Sequence, residues 1–122
     1  MATSSAQYVI SHGYYDQHNH CVSVVRADDG KKLRSYGGIP GGADAGQLYV
    51  PYHLAVDDDG FIFVADHHNG RVVVLSPQLE FVRCIATHGA ELKGRPRRLC
   101  FDVKSRLLYV GQDDGTVTAL RL

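Results

Sequence analysis

Laid against itself with an offset of 45 residues, the sequence repeats: Pro51 falls on Pro96, Leu54 on Leu99, Asp57 on Asp102, Gly70 on Gly115, Val72 on Val117 and Leu75 on Leu120. One extra residue at the second turn also brings Val64 onto Val110. A fainter copy lies upstream. There Tyr8-Val9-Ile10-Ser11 parallels Phe63-Val64-Ala65-Asp66, and Asn19-His20-Cys21-Val22 parallels Asn69-Gly70-Arg71-Val72. Repetition at this period marks a chain built from stacked copies of one supersecondary unit.

The unit is made of strands. Runs of β-branched and aromatic residues alternate with Gly, Asp and Pro punctuation, and no helical periodicity survives. The pattern predicts strands over 7–12, 20–26, 31–36, 53–57, 61–65, 71–76, 81–87, 98–103, 107–111 and 116–121, after a disordered segment 1–6. Asp29-Gly30, Asp59-Gly60, Asn69-Gly70 and Asp114-Gly115 supply residues suited to positive φ in tight hairpins. The Gly-rich stretch 37–48 has no Gly-Lys-Ser/Thr ending and no helix after it, so it reads as a connection between repeats and not as a phosphate cradle.

Within PYHLAVDDDGFIFVADHHNGRVVVL, residues 51–75, stand Pro51, the Asp59-Gly60 turn, the Val64-Ala65-Asp66 strand end and Asn69-x-Arg71. This pattern resembles the NHL repeat, one blade of a β-propeller, and a period near 45 is that of a four-stranded blade. The resemblance is close over 51–120 and loose over 8–122. It implies an all-β fold, a partial β-propeller of about three NHL-type four-stranded blades, with copies at about 7–38, 51–89 and 96–122. With strands named A to D from the axis outward, the middle blade is complete, the first lacks A and the third lacks D. Propellers of this family have about six blades, so the chain covers about half of one. It is expected to be a truncated sequence, a fragment, or a piece that assembles with other chains, and its open terminal blades offer a route to self-association.

Net charge is zero, so no whole-molecule field draws the chain to nucleic acid or membrane. Cys21, Cys84 and Cys100 are odd in number without Cys-x-x-Cys spacing, which argues for reduced thiols. The opening MATSSAQ has neither a basic nor an apolar leader region, and no run of apolar residues is long enough to span a bilayer. A cytoplasmic chain is the expectation.

In an up-and-down blade the B to C and D to A connections share one face. That face collects Tyr52 and His53, then His67, His68, Asn69 and Arg71, then Lys93, Arg95, Arg97 and Arg98, and finally Gln112, Asp113 and Asp114. The opposite face receives the acidic turn 57–59 and residues 76–79, and is expected to be acidic and plain. The candidate binding residues are Tyr52, His53, His67, His68, Asn69, Arg71, Arg95, Arg97 and Arg98. The arginines could grip anionic groups, or could be solvated cations offsetting nearby acids. Tyr52 could stack on a base or fill a pocket in a partner. Asp66, Asn69 and Arg71 have a structural reading: carboxylate and amide close the B to C turn, and Arg71 pairs to a neighbouring strand.

Seven histidines, His12, His18, His20, His53, His67, His68 and His88, raise the question of metal. His18-Asn19-His20-Cys21 offers three ligands, but strand alternation sends His20 and Cys21 to opposite sides. No metal or cofactor is predicted, and no catalytic constellation is visible. What the resemblance implies is a non-catalytic recognition module whose partner is a protein or single-stranded RNA, as in the tripartite-motif ubiquitin ligases that carry such propellers. No RING or B-box cysteines are present, so ligase chemistry would need a longer chain. The alternative is a metal-dependent propeller enzyme, since lyases of similar fold use axial histidines and related lactonases use carboxylates around calcium. No acidic residue repeats at the axial end of strand A.

Overall fold

The structure, a computed structural model, describes residues 7–13, 19–38 and 41–122. The expected disordered segment 1–6 and His18 lie outside them. The first sheet is β1 (Gln7–His12), β2 (His20–Arg26) and β3 (Lys32–Gly38). The second has four strands, β4 (Pro51–Val56), β5 (Ile62–Asp66), β6 (Arg71–Leu75) and β7 (Phe81–Thr87). The third is β8 (Pro96–Asp102), β9 (Leu107–Gln112) and β10 (Val117–Arg121). Each sheet runs in chain order with antiparallel neighbours, so the fold is the expected partial propeller: a full central blade between two of three strands. Among the described residues no helix is long and apolar enough to cross a membrane.

Two cores hold the sheets face to face, and the middle sheet contributes to both. On β5, Ile62 and Val64 enter the core shared with the first sheet, while Phe63 and Ala65 enter the core shared with the third. On β6, Val73 and Leu75 go one way and Val72 and Val74 the other. Burial on both faces explains why β6 reads as a continuous apolar run. On β1 and β9 burial alternates instead: Val9 is buried between exposed Tyr8 and Ile10, and Val110 is buried beside exposed Tyr109. Tyr8, Ile10 and Tyr109 therefore stand open on the outward sides of these strands.

The four turn glycines, Gly30, Gly60, Gly70 and Gly115, all adopt positive φ as expected. Strand starts differ from the sequence reading at the prolines. β4 and β8 begin at Pro51 and Pro96, two residues early, because a proline is tolerated at the first position of a strand. The register then slips between Pro51 and His53, and again between Pro96 and Arg98, leaving Tyr52 and Arg97 as the extra residue of a β-bulge in successive blades. Glycine-rich residues 37 and 38 complete β3, so only the remainder of that stretch is connection. A single 3₁₀ turn, His67–Asn69, is an addition to the expected all-strand pattern, closed by left-handed Gly70 donating its N–H to the His67 carbonyl.

Candidate functional site

The signature residues of the middle blade form a buried knot. Asp66 is fully buried, and its Oδ1 accepts the Tyr49 N–H at 2.7 Å. Its Oδ2 accepts from Asn69 Nδ2 at 2.8 Å and from Arg71 Nε at 2.7 Å. Asn69 also donates to the Gly42 carbonyl and Arg71 Nη2 to the Gln47 carbonyl. The knot thus closes the turn and moors the incoming connection from the first blade. Burial pushes the Asp66 carboxyl above its ordinary value, against the hydrogen bonds from Asn69, Tyr49 and Arg71. Every partner is a donor, so the ionised carboxylate is the form the knot accommodates.

The third blade solves the same problem without charge. Pro51 pairs with Asp66 in one blade and Pro96 with Gln112 in the next, so Gln112 is the counterpart of Asp66. Its Oε1 accepts the Lys93 and Gly94 amides at 2.8 and 3.0 Å, and its Nε2 donates to Thr118 Oγ1 at 2.8 Å. Opposite it stands Thr116 where the middle blade has Arg71. Acid and guanidinium are replaced together, so neither blade buries an uncompensated charge.

The two bulges aim Tyr52 and Arg97 at each other. Arg97 Nη2 lies 3.4 Å from the Tyr52 hydroxyl, and the guanidinium carbons of Arg97 and Arg98 sit 5.2 and 5.9 Å from the ring centroid. Distances of this order are those of cation–π contact. His67 presents an edge to the same ring at 5.3 Å. Asp113, the counterpart of His67 in the next blade, joins the group: its carboxylate accepts from His67 Nε2 at 2.6 Å and from Arg97 Nη1 at 3.3 Å. Burial would raise the Asp113 carboxyl, but the His67 hydrogen bond and charge, with those of Arg97, hold it below the ordinary value.

Beyond His67 the row of rings continues. His67 Nδ1 lies 2.9 Å from His68 Nδ1, a contact in which one ring donates and the other accepts according to their tautomers. His68 is tilted against Tyr49, and Tyr49 meets His20 edge-on. Arg95 Nη1 donates to the His68 carbonyl at 3.3 Å. Burial, then the charges of His67, Arg95 and His20, lower the affinity of His68 for protons. At the foot of the array Val50, buried and β-branched, is held at φ 54 by giving its N–H to His20 Nδ1 and receiving the His67 N–H. Strain of this kind persists only where surroundings enforce it.

Tyr52, His67, His68, Arg95, Arg97 and Arg98 therefore come together, whereas Asn69 and Arg71 belong to the knot. His53 is separate too, its Nδ1 accepting the Leu99 N–H at 3.0 Å across the blade junction. Burial and the Arg98 charge lower its pKa from the ordinary 6.5. Protonation would set a donor against a donor. Because the unfolded ring binds protons more tightly, stability should be level above pH 6.5 and fall as pH drops below it. A His53→Leu variant should show a shallower fall in thermal midpoint across that range, and an identical slope would remove His53 from the cause.

The opposite end differs from the plain acidic surface expected. Arg106, held at φ 59 in the turn after β8, reaches Asp58 at 2.7 Å and lies 5.1 Å from the Phe101 ring, tying the turns of two blades. Among the described residues, the one group of three side chains able to converge on a metal is Asp57, Asp58 and Asp59, at this end. His20 and Cys21 do diverge: Cys21 Sγ meets His12 Nε2 at 2.8 Å, while His20 turns to Val50.

Residues 48–75 match the NHL repeat. The whole chain aligns with the crystal structure of virginiamycin B lyase from Staphylococcus aureus at a TM-score of 0.56 and 13% identity, covering 100% of this chain and 40% of that one. The likeness is one of fold, a β-propeller, and this chain spans 40% of that protein's length.

Proposed function

We propose that this partial β-propeller, with its NHL repeat, is a non-catalytic recognition module that binds an acidic protein segment through the face built on Tyr52, Arg97 and Arg98. The observation that carries the reading is the paired bulge: two successive blades each turn one residue out of register, and the two meet as an aromatic ring beside guanidinium groups. An aromatic ring flanked by arginine is the composition of interface anchors. A short acidic segment is favoured over RNA because, with Arg97 paired to Asp113 and Arg95 to a carbonyl, the charge left at the ring suits one or two carboxylates and not a run of phosphates. Within a larger regulator of tripartite-motif type, the face would supply partner choice.

The test is a titration of the protein against an array of acidic peptides and against random single-stranded RNA. Arg97→Ala/Arg98→Ala should weaken peptide binding by about tenfold or more, two lost charge-assisted contacts at rim exposure. Tyr52→Ala should cost about 1–3 kcal/mol on the same peptides. RNA binding whose salt dependence flattens by about two units in the double variant would instead identify RNA as the ligand. Unchanged affinity for both would show the face to be a solvated surface.

A further inference from the structure

A second site lies on the outer rim, and it uses neither Tyr52 nor Arg97. Between the first and middle sheets the core is filled near the inner strands, but toward β3 and β7 the sheets diverge and leave a cleft of about 370 Å³. Tyr36 pairs with Val22 and Phe81 with Leu75, and both valine and leucine belong to the shared core. Tyr36 and Phe81 therefore turn into the same gap from opposite sheets. Loop residues Asp44, Ala45 and Gly46 line it as well, and so does Arg71. Such a volume, walled by rings with few polar groups, is that of a small-ligand pocket.

The polar lining offers hydrogen-bond donors. Arg71 uses Nε on Asp66 and Nη2 on the Gln47 carbonyl, and Nη1 has no hydrogen-bond partner among the described residues. Its side chain retains 17% of its exposure. The Tyr36 hydroxyl accepts the Gly46 N–H at 3.2 Å, so its own proton is available to give. Tyr36 and Arg71, both lining the cleft, thus each keep a donor unused. Asp44 in the lining is the opposing charge and disfavours a second negative group.

We infer that this cleft binds a monocarboxylate with a single aromatic or branched apolar body, the ring or alkyl group lying between Tyr36 and Phe81 and the carboxylate on Arg71. Its test is an NMR titration of the full chain with 3-phenylpropionate, using 3-phenylpropanamide as the uncharged twin. The acid should give saturable shifts confined to Tyr36, Asp44, Ala45, Gly46, Arg71 and Phe81, and bind about tenfold more tightly than the amide, the worth of one charge-assisted hydrogen bond. Phe81→Ala, at a residue 48% exposed and so harmless to folding, should weaken the acid about fivefold or more. Equal affinity of acid and amide, shifts that fail to saturate, or a Phe81→Ala variant that binds as before would each overturn the assignment.

Discussion

Asp66→Ala is expected to lower stability by about 3–5 kcal/mol, the cost of breaking a buried charge pair by removing one partner. The side chain is fully buried, and its loss orphans three donors at once: the Tyr49 amide, the Asn69 amide and the Arg71 guanidinium. A domain of ordinary stability has about 5–15 kcal/mol in total, so this one change should bring it near unfolding at room temperature. Asp66→Asn keeps an acceptor for Tyr49 but turns an amide donor toward Arg71, and should lie between. Urea unfolding measures both. A loss below about 1 kcal/mol for the alanine variant would mean that water replaces the carboxylate and that the knot is not what moors the connection.

Self-association is the second large effect. Tyr8 and Ile10 stand exposed on the outer face of the first sheet, and Tyr109 and Val117, the latter 68% exposed, on that of the third. At about 25 cal/mol per Å², an uncovered sheet face of several hundred Å² forgoes on the order of 10 kcal/mol of burial. The isolated chain should therefore show a mass by light scattering that climbs with concentration, and Tyr109→Lys together with Val117→Lys should shift it toward the monomer. A cooperative, highly stable monomer at every concentration would refute the expectation.

The strands were legible because each element announces itself locally. Valines bounded by Asn-Gly or Asp-Gly read as strands without knowledge of their neighbours, and all ten strands are found in the structure. What local pattern could not reveal was geometry that depends on two blades at once. Tyr52 and His53 are adjacent and looked equivalent, but the bulge turns one to the surface and leaves the other to clamp Leu99. Asp113 was visible as a member of the face yet not as its organiser. Its role follows from standing opposite His67, and the one-residue insertion that moves Val64 onto Val110 is the signal that would have aligned Asp66 with Gln112 and His67 with Asp113. Arg106 was missed because nothing in the turn 103–106 hints at acids 48 residues upstream.

The bulge itself has an evolutionary corollary. Residues in the ladder of a strand alternate between two packed surfaces, so changing one disturbs a neighbour. The inserted residue at positions 52 and 97 is excused from that alternation: it is tyrosine in one blade and arginine in the next, while Leu54 and Leu99 two places on are the same. Each of these two blades thus offers a single position whose chemistry can be rewritten without disturbing the two cores. A ring of such blades would display a short circular word, one letter per blade, and new partners could be acquired by spelling changes alone.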